Sequence, residues 1–126
     1  MSEMLNPRAA RVQVWLAKMP LDSLDERGLA QLREDQYDWV GDLDVRGYST
    51  VKLLNRAFER SQNAIYAWNP QRPCRSSRIG DVFVLREGDR VQAFAIMSVG
   101  FSPVRSFLSD GFDDAMQGEW ASAAFA

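Results

Sequence analysis

Two apolar runs, Val82-Phe-Val-Leu85 and Val91-Gln-Ala-Phe-Ala-Ile-Met-Ser-Val99, flank the dipeptide Gly88-Asp89. That arrangement commits the chain to a β-hairpin more firmly than any other stretch commits it to anything. The second run is apolar at nearly every position, the pattern of a strand buried on both faces at a sheet centre. Phe101-Ser-Pro103 is expected to end it. Upstream, Arg11 to Ala17 alternates, with Val12, Val14 and Leu16 on one side and Arg11, Gln13 and Trp15 on the other. A period of two in β-branched and aromatic residues predicts a strand, stopped by Pro20. Tyr37 to Val45 fits a second, irregular strand, with Gly41 at a bulge.

One helix is clear. Ser49 or Thr50 can cap it, and Val51, Leu54 and Phe58, with Leu53 and Ala57, recur at helical spacing. Its polar face carries Lys52, Arg56 and Arg60, and it is expected to end near Gln62-Asn63. Leu24, Leu29 and Leu32 are spaced for a short helix between Leu21 and Gln36, weakened by Gly28. A further helix is expected over Asp113 to Phe125, bearing Met116 and Trp120. The fold class that follows is α+β: a small mixed or antiparallel sheet of about four strands with one amphipathic helix packed on it. At 126 residues this is one domain, with its core over 11–103 and an extension over 104–126.

Charge separates along the chain. The net charge of −2 hides a segment, 22–44, with eight acids against two arginines, followed by 45–78 with seven bases against Glu59 alone. Such segregation gives the surface potential a direction and so bears on partners rather than on fold. The near-zero total excludes a polycationic nucleic-acid protein and a DNA mimic over the whole surface. Histidine is absent, which removes the commonest general base and metal ligand. A single cysteine, Cys74, excludes an internal disulfide and a multi-thiolate metal site. Neither a metal nor another cofactor is expected. No basic-then-apolar leader is visible at Met1 to Pro7, and no run approaches a membrane span, so a cytosolic location is expected.

The densest chemistry lies in Arg72-Pro-Cys-Arg-Ser-Ser-Arg-Ile-Gly-Asp81. Three arginines and two serines ahead of a strand can hold an anion, since guanidinium forks and hydroxyls both suit phosphate oxygens. The alternative is a turn at Gly80-Asp81 whose serines and arginine satisfy loop backbone. Cys74 between arginines can be a lowered-pKa nucleophile or an incidental thiol, and no histidine exists to activate it. Asp42/Asp44 and Asp113/Asp114 are carboxylate pairs without a spacing that marks acid–base chemistry. Tyr66 and Trp68, next to the basic segment, have the composition of a base-stacking pair or of ordinary packing.

The run Leu54-x-x-x-Phe58-x-x-x-Gln62-Asn63, then Trp68, then Arg75-Ser-Ser-Arg-Ile-Gly-Asp81, then Ser98-Val-Gly-Phe101 resembles the YodL-like domain and short phage- and plasmid-borne relatives. The likeness spans about Tyr48 to Pro103, with Arg78 standing where the family pattern has its second serine. It implies a mobile-element setting, beside anti-restriction functions, and binding that interferes with a host protein. The expected function is therefore a non-enzymatic accessory protein that binds and inhibits a host or defence protein. Its contact would be a basic face of Arg56, Arg60, Arg72, Arg75, Ser76 and Arg78, or an acidic face of Asp35, Asp38, Asp42 and Asp44, with Tyr66 and Trp68 as aromatic contacts. A nucleic-acid-binding module on the same basic face is the alternative, and a small transferase or hydrolase using the Arg/Ser loop is the third.

Overall fold

A computed structural model describes residues 6–19 and 32–108. Five strands form one sheet: β1 (Arg8–Ala17), β2 (Tyr37–Gly47), β3 (Val82–Glu87), β4 (Arg90–Ile96) and β5 (Phe101–Pro103), in spatial order β2-β1-β3-β4-β5. Every pairing is antiparallel. Among the described residues one α-helix, α1 (Thr50–Arg60), packs on the sheet, so the fold class is α+β.

The hairpin forms as its turn dictates. Glu87 pairs with Arg90, and Gly88 adopts φ +58, which side chains rarely tolerate. Its second strand is not the sheet centre, however. β4 ends at Ile96, Val99 is 90% exposed, and the central strand is β3, buried from Val82 to Arg86. The strand count rises from about four to five because Gly100, at φ +75, turns the chain back. Phe101-Ser-Pro103 then pairs with Phe94 to Ile96 instead of merely ending the run. Proline is tolerated there because β5 lies at the edge of the sheet.

The alternation in β1 sorts side chains to two faces. Val12, Val14 and Leu16 join Leu43, Val45, Phe83, Leu85, Phe94 and Ile96 beneath α1. Trp15 faces the other way with Tyr37, Val82, Val84, Ala93 and Ala95. That second layer is closed by Val104 and Phe107, 1% and 0% exposed, on the 3-10 turn Arg105–Leu108. The buried core therefore runs past position 103. Phe107 meets Trp15 and Tyr37 edge-on, each with centroids 5.3 Å apart, while Trp15 stacks on Trp39.

Ser49 caps α1, its hydroxyl accepting from the Lys52 N–H at 3.2 Å. Leu53, Leu54 and Ala57 are buried, and Lys52, Arg56 and Arg60 face outward as their spacing predicts. Val51 departs from expectation at 59% exposure. At about 100° per residue it lies roughly a third of a turn from the centre of the buried face formed by Leu53, Leu54 and Ala57. The helix closes at Ser61, slightly before Gln62-Asn63. Within the predicted helix over Leu21 to Gln36, Glu34–Gln36 is a 3-10 turn, and residues 21–31 lie outside the described residues, as does the helix predicted over Asp113 to Phe125.

Candidate functional site

The Arg/Ser loop lies between the end of α1 and the start of β3, and the side chains of Arg75, Ser76, Ser77 and Asp81 bond within the chain. A helix leaves its last carbonyls without intrahelical partners. Here the Ser61 hydroxyl donates to Ala57 O at 2.7 Å, and the Gln62 amide donates to Phe58 O at 3.1 Å. The same two residues clasp the loop. Ser61 Oγ lies 2.6 Å from Ser77 Oγ, and Gln62 Nε2 donates to the carbonyl and hydroxyl of Ser77. Ser77 N–H returns a bond to Ser61 O. Next along the chain, Asn63 N–H donates to Ser76 Oγ at 2.7 Å and Asn63 Nδ2 to Cys74 O at 2.6 Å.

Arg75 and Asp81 form the deepest part. The Asp81 carboxylate is fully buried, and each of its oxygens accepts twice. Oδ1 takes the Ala17 N–H and Arg75 Nη2, both at 2.8 Å; Oδ2 takes the Arg78 N–H at 2.8 Å and Arg75 Nη1 at 2.7 Å. The fork-to-fork pairing is the strong geometry for an ion pair, and Asp81 in turn holds the Arg75 guanidinium above its usual range. Arg75 also donates to Ala17 O and Ser76 O, joining the end of β1 to the loop. Gly80, at φ +95, lets the chain enter β3, and its carbonyl accepts from Tyr37 Oη at 2.6 Å. Burial, reinforced by the Asp81 charge, pushes the Tyr37 phenol up. Of the two readings of Arg72 to Asp81, these bonds are those of the turn: Arg75, Ser76 and Ser77 are engaged within the chain.

The remaining members of the basic face divide. Arg60 donates to Asp44 O, Arg72 Nη1 donates to Trp39 O at 2.5 Å, and Arg56 pairs with Glu59 at 3.7 Å. The Arg78 side chain is exposed, while its backbone N–H serves Asp81. Asp35, Asp38, Asp42 and Asp44 are all exposed. Asp44 pairs with Arg11 at 3.1 Å, and Asp42 accepts from the Trp39 indole at 2.8 Å. Arg60 and Arg72 thus lean on the backbone of β2, the strand that carries Asp38, Asp42 and Asp44.

The two aromatic candidates also part company. Trp68 packs against the core, its ring lying over Gly41. A Cβ at Gly41 would come within 2.6 Å of Asn69 Nδ2 and 3.2 Å of the Trp68 ring. Gly41→Ala should accordingly cost about 1–3 kcal/mol by overpacking, read as a lower urea midpoint at unchanged slope. Register slips between Val14 and Trp15, leaving Val40 as the extra residue, so the bulge is formed by Val40 and Gly41. Cys74 lies beside Trp68; burial pushes its thiol up, against the pull of the indole N–H and of Arg72 and Arg75. That is the opposite of an activated thiolate.

Tyr66, by contrast, is 83% exposed, and its neighbour Ile65 is 86% exposed. Asn63 explains why. Its Oδ1 accepts the Trp68 N–H at 2.9 Å, closing residues 64–67 into a short loop with Ile65 and Tyr66 at the tip. Ile65 was not singled out from the sequence, although Ala-Ile-Tyr-Ala between Asn63 and Trp68 is an apolar quartet inside a loop.

Among the described residues no group of three or more acidic or cysteine side chains could hold a metal ion, and no helix is long and apolar enough to cross a membrane. No family model, curated protein or solved structure matches the chain.

Proposed function

We propose that this chain is a non-catalytic module that acts by binding another protein, with the Ile65–Tyr66 tip as its apolar anchor. One observation carries the reading: two large apolar side chains are held outward by a loop whose base Asn63 fastens at both ends. Exposed apolar groups on a tied loop bind without a large ordering cost, and tyrosine beside arginine is the composition of binding hot spots. Arg60 and Arg72, anchored along β2 on either side of Trp68, supply the polar rim. The motif likeness supports the setting, a phage or plasmid accessory protein that inhibits a host or defence protein. The nucleic-acid alternative is less favoured. Trp68 is turned onto the core and cannot stack with Tyr66, and the carboxylates of Asp38, Asp42 and Asp44 share the strand that Arg60 and Arg72 lean on.

The test is affinity capture from nuclease-treated host lysate with wild type and Ile65→Ser/Tyr66→Ser. Loss of two anchors should weaken a captured protein partner at least about 30-fold, the equivalent of a hot-spot loss of 2 kcal/mol, with melting temperature unchanged. A partner held equally well by the variant, or one lost with nuclease, contradicts the proposal.

A further inference from the structure

β2 is an edge strand: among the described residues β1 alone pairs with it, so one side of its backbone faces no strand. Bare edges invite pairing with other chains. Three carbonyls of β2 nevertheless accept hydrogen bonds, all from side chains of the segment 60–72. Arg72 serves Trp39 O, Asn69 Nδ2 serves Val40 O at 2.6 Å, and Arg60 serves Asp44 O. Arg60 and Arg72 are both exposed, and their guanidinium groups sit on backbone carbonyls of the strand whose exposed carboxylates are Asp38, Asp42 and Asp44. The chain thereby covers its own edge with N–H donors, two of them cationic, of the kind a basic strand would bring to these carbonyls.

We propose that the outer edge of β2, from Asp38 to Asp44, is a strand-addition site for an extended segment carrying lysine or arginine at alternate positions, and that residues 60–72 hold it shut. Backbone bonds would give such a segment its affinity, and Asp42 and Asp44, which lie opposite Gln13 and Arg11 on one face of the sheet, its selectivity. A second copy of β2 is a poorer occupant, because it would bring its own three aspartates to the same edge. This inference goes beyond the binding reading above and uses different atoms from the Ile65–Tyr66 tip.

The experiment compares wild type with Arg60→Ala/Asn69→Ala/Arg72→Ala, titrating the synthetic peptides Lys-Val-Lys-Val-Lys-Val-Lys and Glu-Val-Glu-Val-Glu-Val-Glu and following backbone amide resonances. The milder Arg60→Ala/Arg72→Ala variant is measured alongside, with circular dichroism establishing that each is folded. The lysine peptide should bind the folded variants at least tenfold more tightly than wild type, shifting the amides of Asp38 to Asp44, and the glutamate peptide should not bind. Equal affinity for wild type and variants, or shifts centred away from β2, overturns the proposal. A variant that dimerises through β2 and ignores the peptide overturns the choice of occupant.

Discussion

Asp81→Ala should destabilise the fold by about 3 kcal/mol, the lower end of what breaking a buried ion pair costs, because Arg75 retains some access to water. The substitution removes four acceptor positions at once. It leaves the N–H groups of Ala17 and Arg78 without their acceptor and the Arg75 guanidinium without its counter-charge at the junction of β1 and β3. Asp81→Asn should fall between wild type and alanine. Its amide oxygen can still serve one backbone donor, but its NH2 group would face the Arg75 fork. Urea unfolding reads both, with the midpoint moving and the slope unchanged. A loss below about 1 kcal/mol for Asp81→Ala would mean that the carboxylate does not organise the loop.

Phe107→Ala should cost about 3–5 kcal/mol, the range for emptying a fully buried aromatic site. The ring closes the sheet face opposite α1, and its edge-on contacts with Trp15 and Tyr37 are lost together with its apolar burial. Val99→Ala supplies the contrast. Valine 99 sits in the same apolar-looking part of the sequence but is 90% exposed, so the change should stay within about 0.5 kcal/mol. Thermal unfolding of the two variants side by side separates a core that includes the 104–108 turn from one that ends at β5. Similar melting temperatures would place Phe107 outside the cooperative unit.

Local pattern made the hairpin, the alternation in β1 and the Ser49-capped helix legible, since each depends on residues within a few positions of one another. β5 escaped because three residues offer no periodicity, and its pairing depends on the turn that Gly100 makes. The centre of the sheet was misplaced for a related reason. Apolar density in Val91 to Val99 reports burial, not neighbours, and strand order is decided by which strands β1 chooses. At the loop, the sequence singled out the segment Arg72 to Asp81 and left open which way its side chains point. Direction is settled by partners far along the chain. Ser77 meets Ser61, and the carboxylate of Asp81 meets the last residue of β1. The charge segments are instructive in the same way. Opposed blocks look like two faces in one dimension, but antiparallel return of the chain lays Arg60 and Arg72 onto the strand that carries Asp38, Asp42 and Asp44.

Whether the Arg/Ser loop is an internal latch is tested most directly by a double-mutant cycle on Arg75 and Asp81, with Arg75→Met, Asp81→Ala and the double variant unfolded in urea. A latch requires the two side chains to act as one unit, so the double variant should be more stable than the sum of the single losses predicts, by about 2 kcal/mol. A coupling below about 0.5 kcal/mol, the level found for residues that do not interact, would contradict it and return Arg75 to the pool of arginines available to an outside anion.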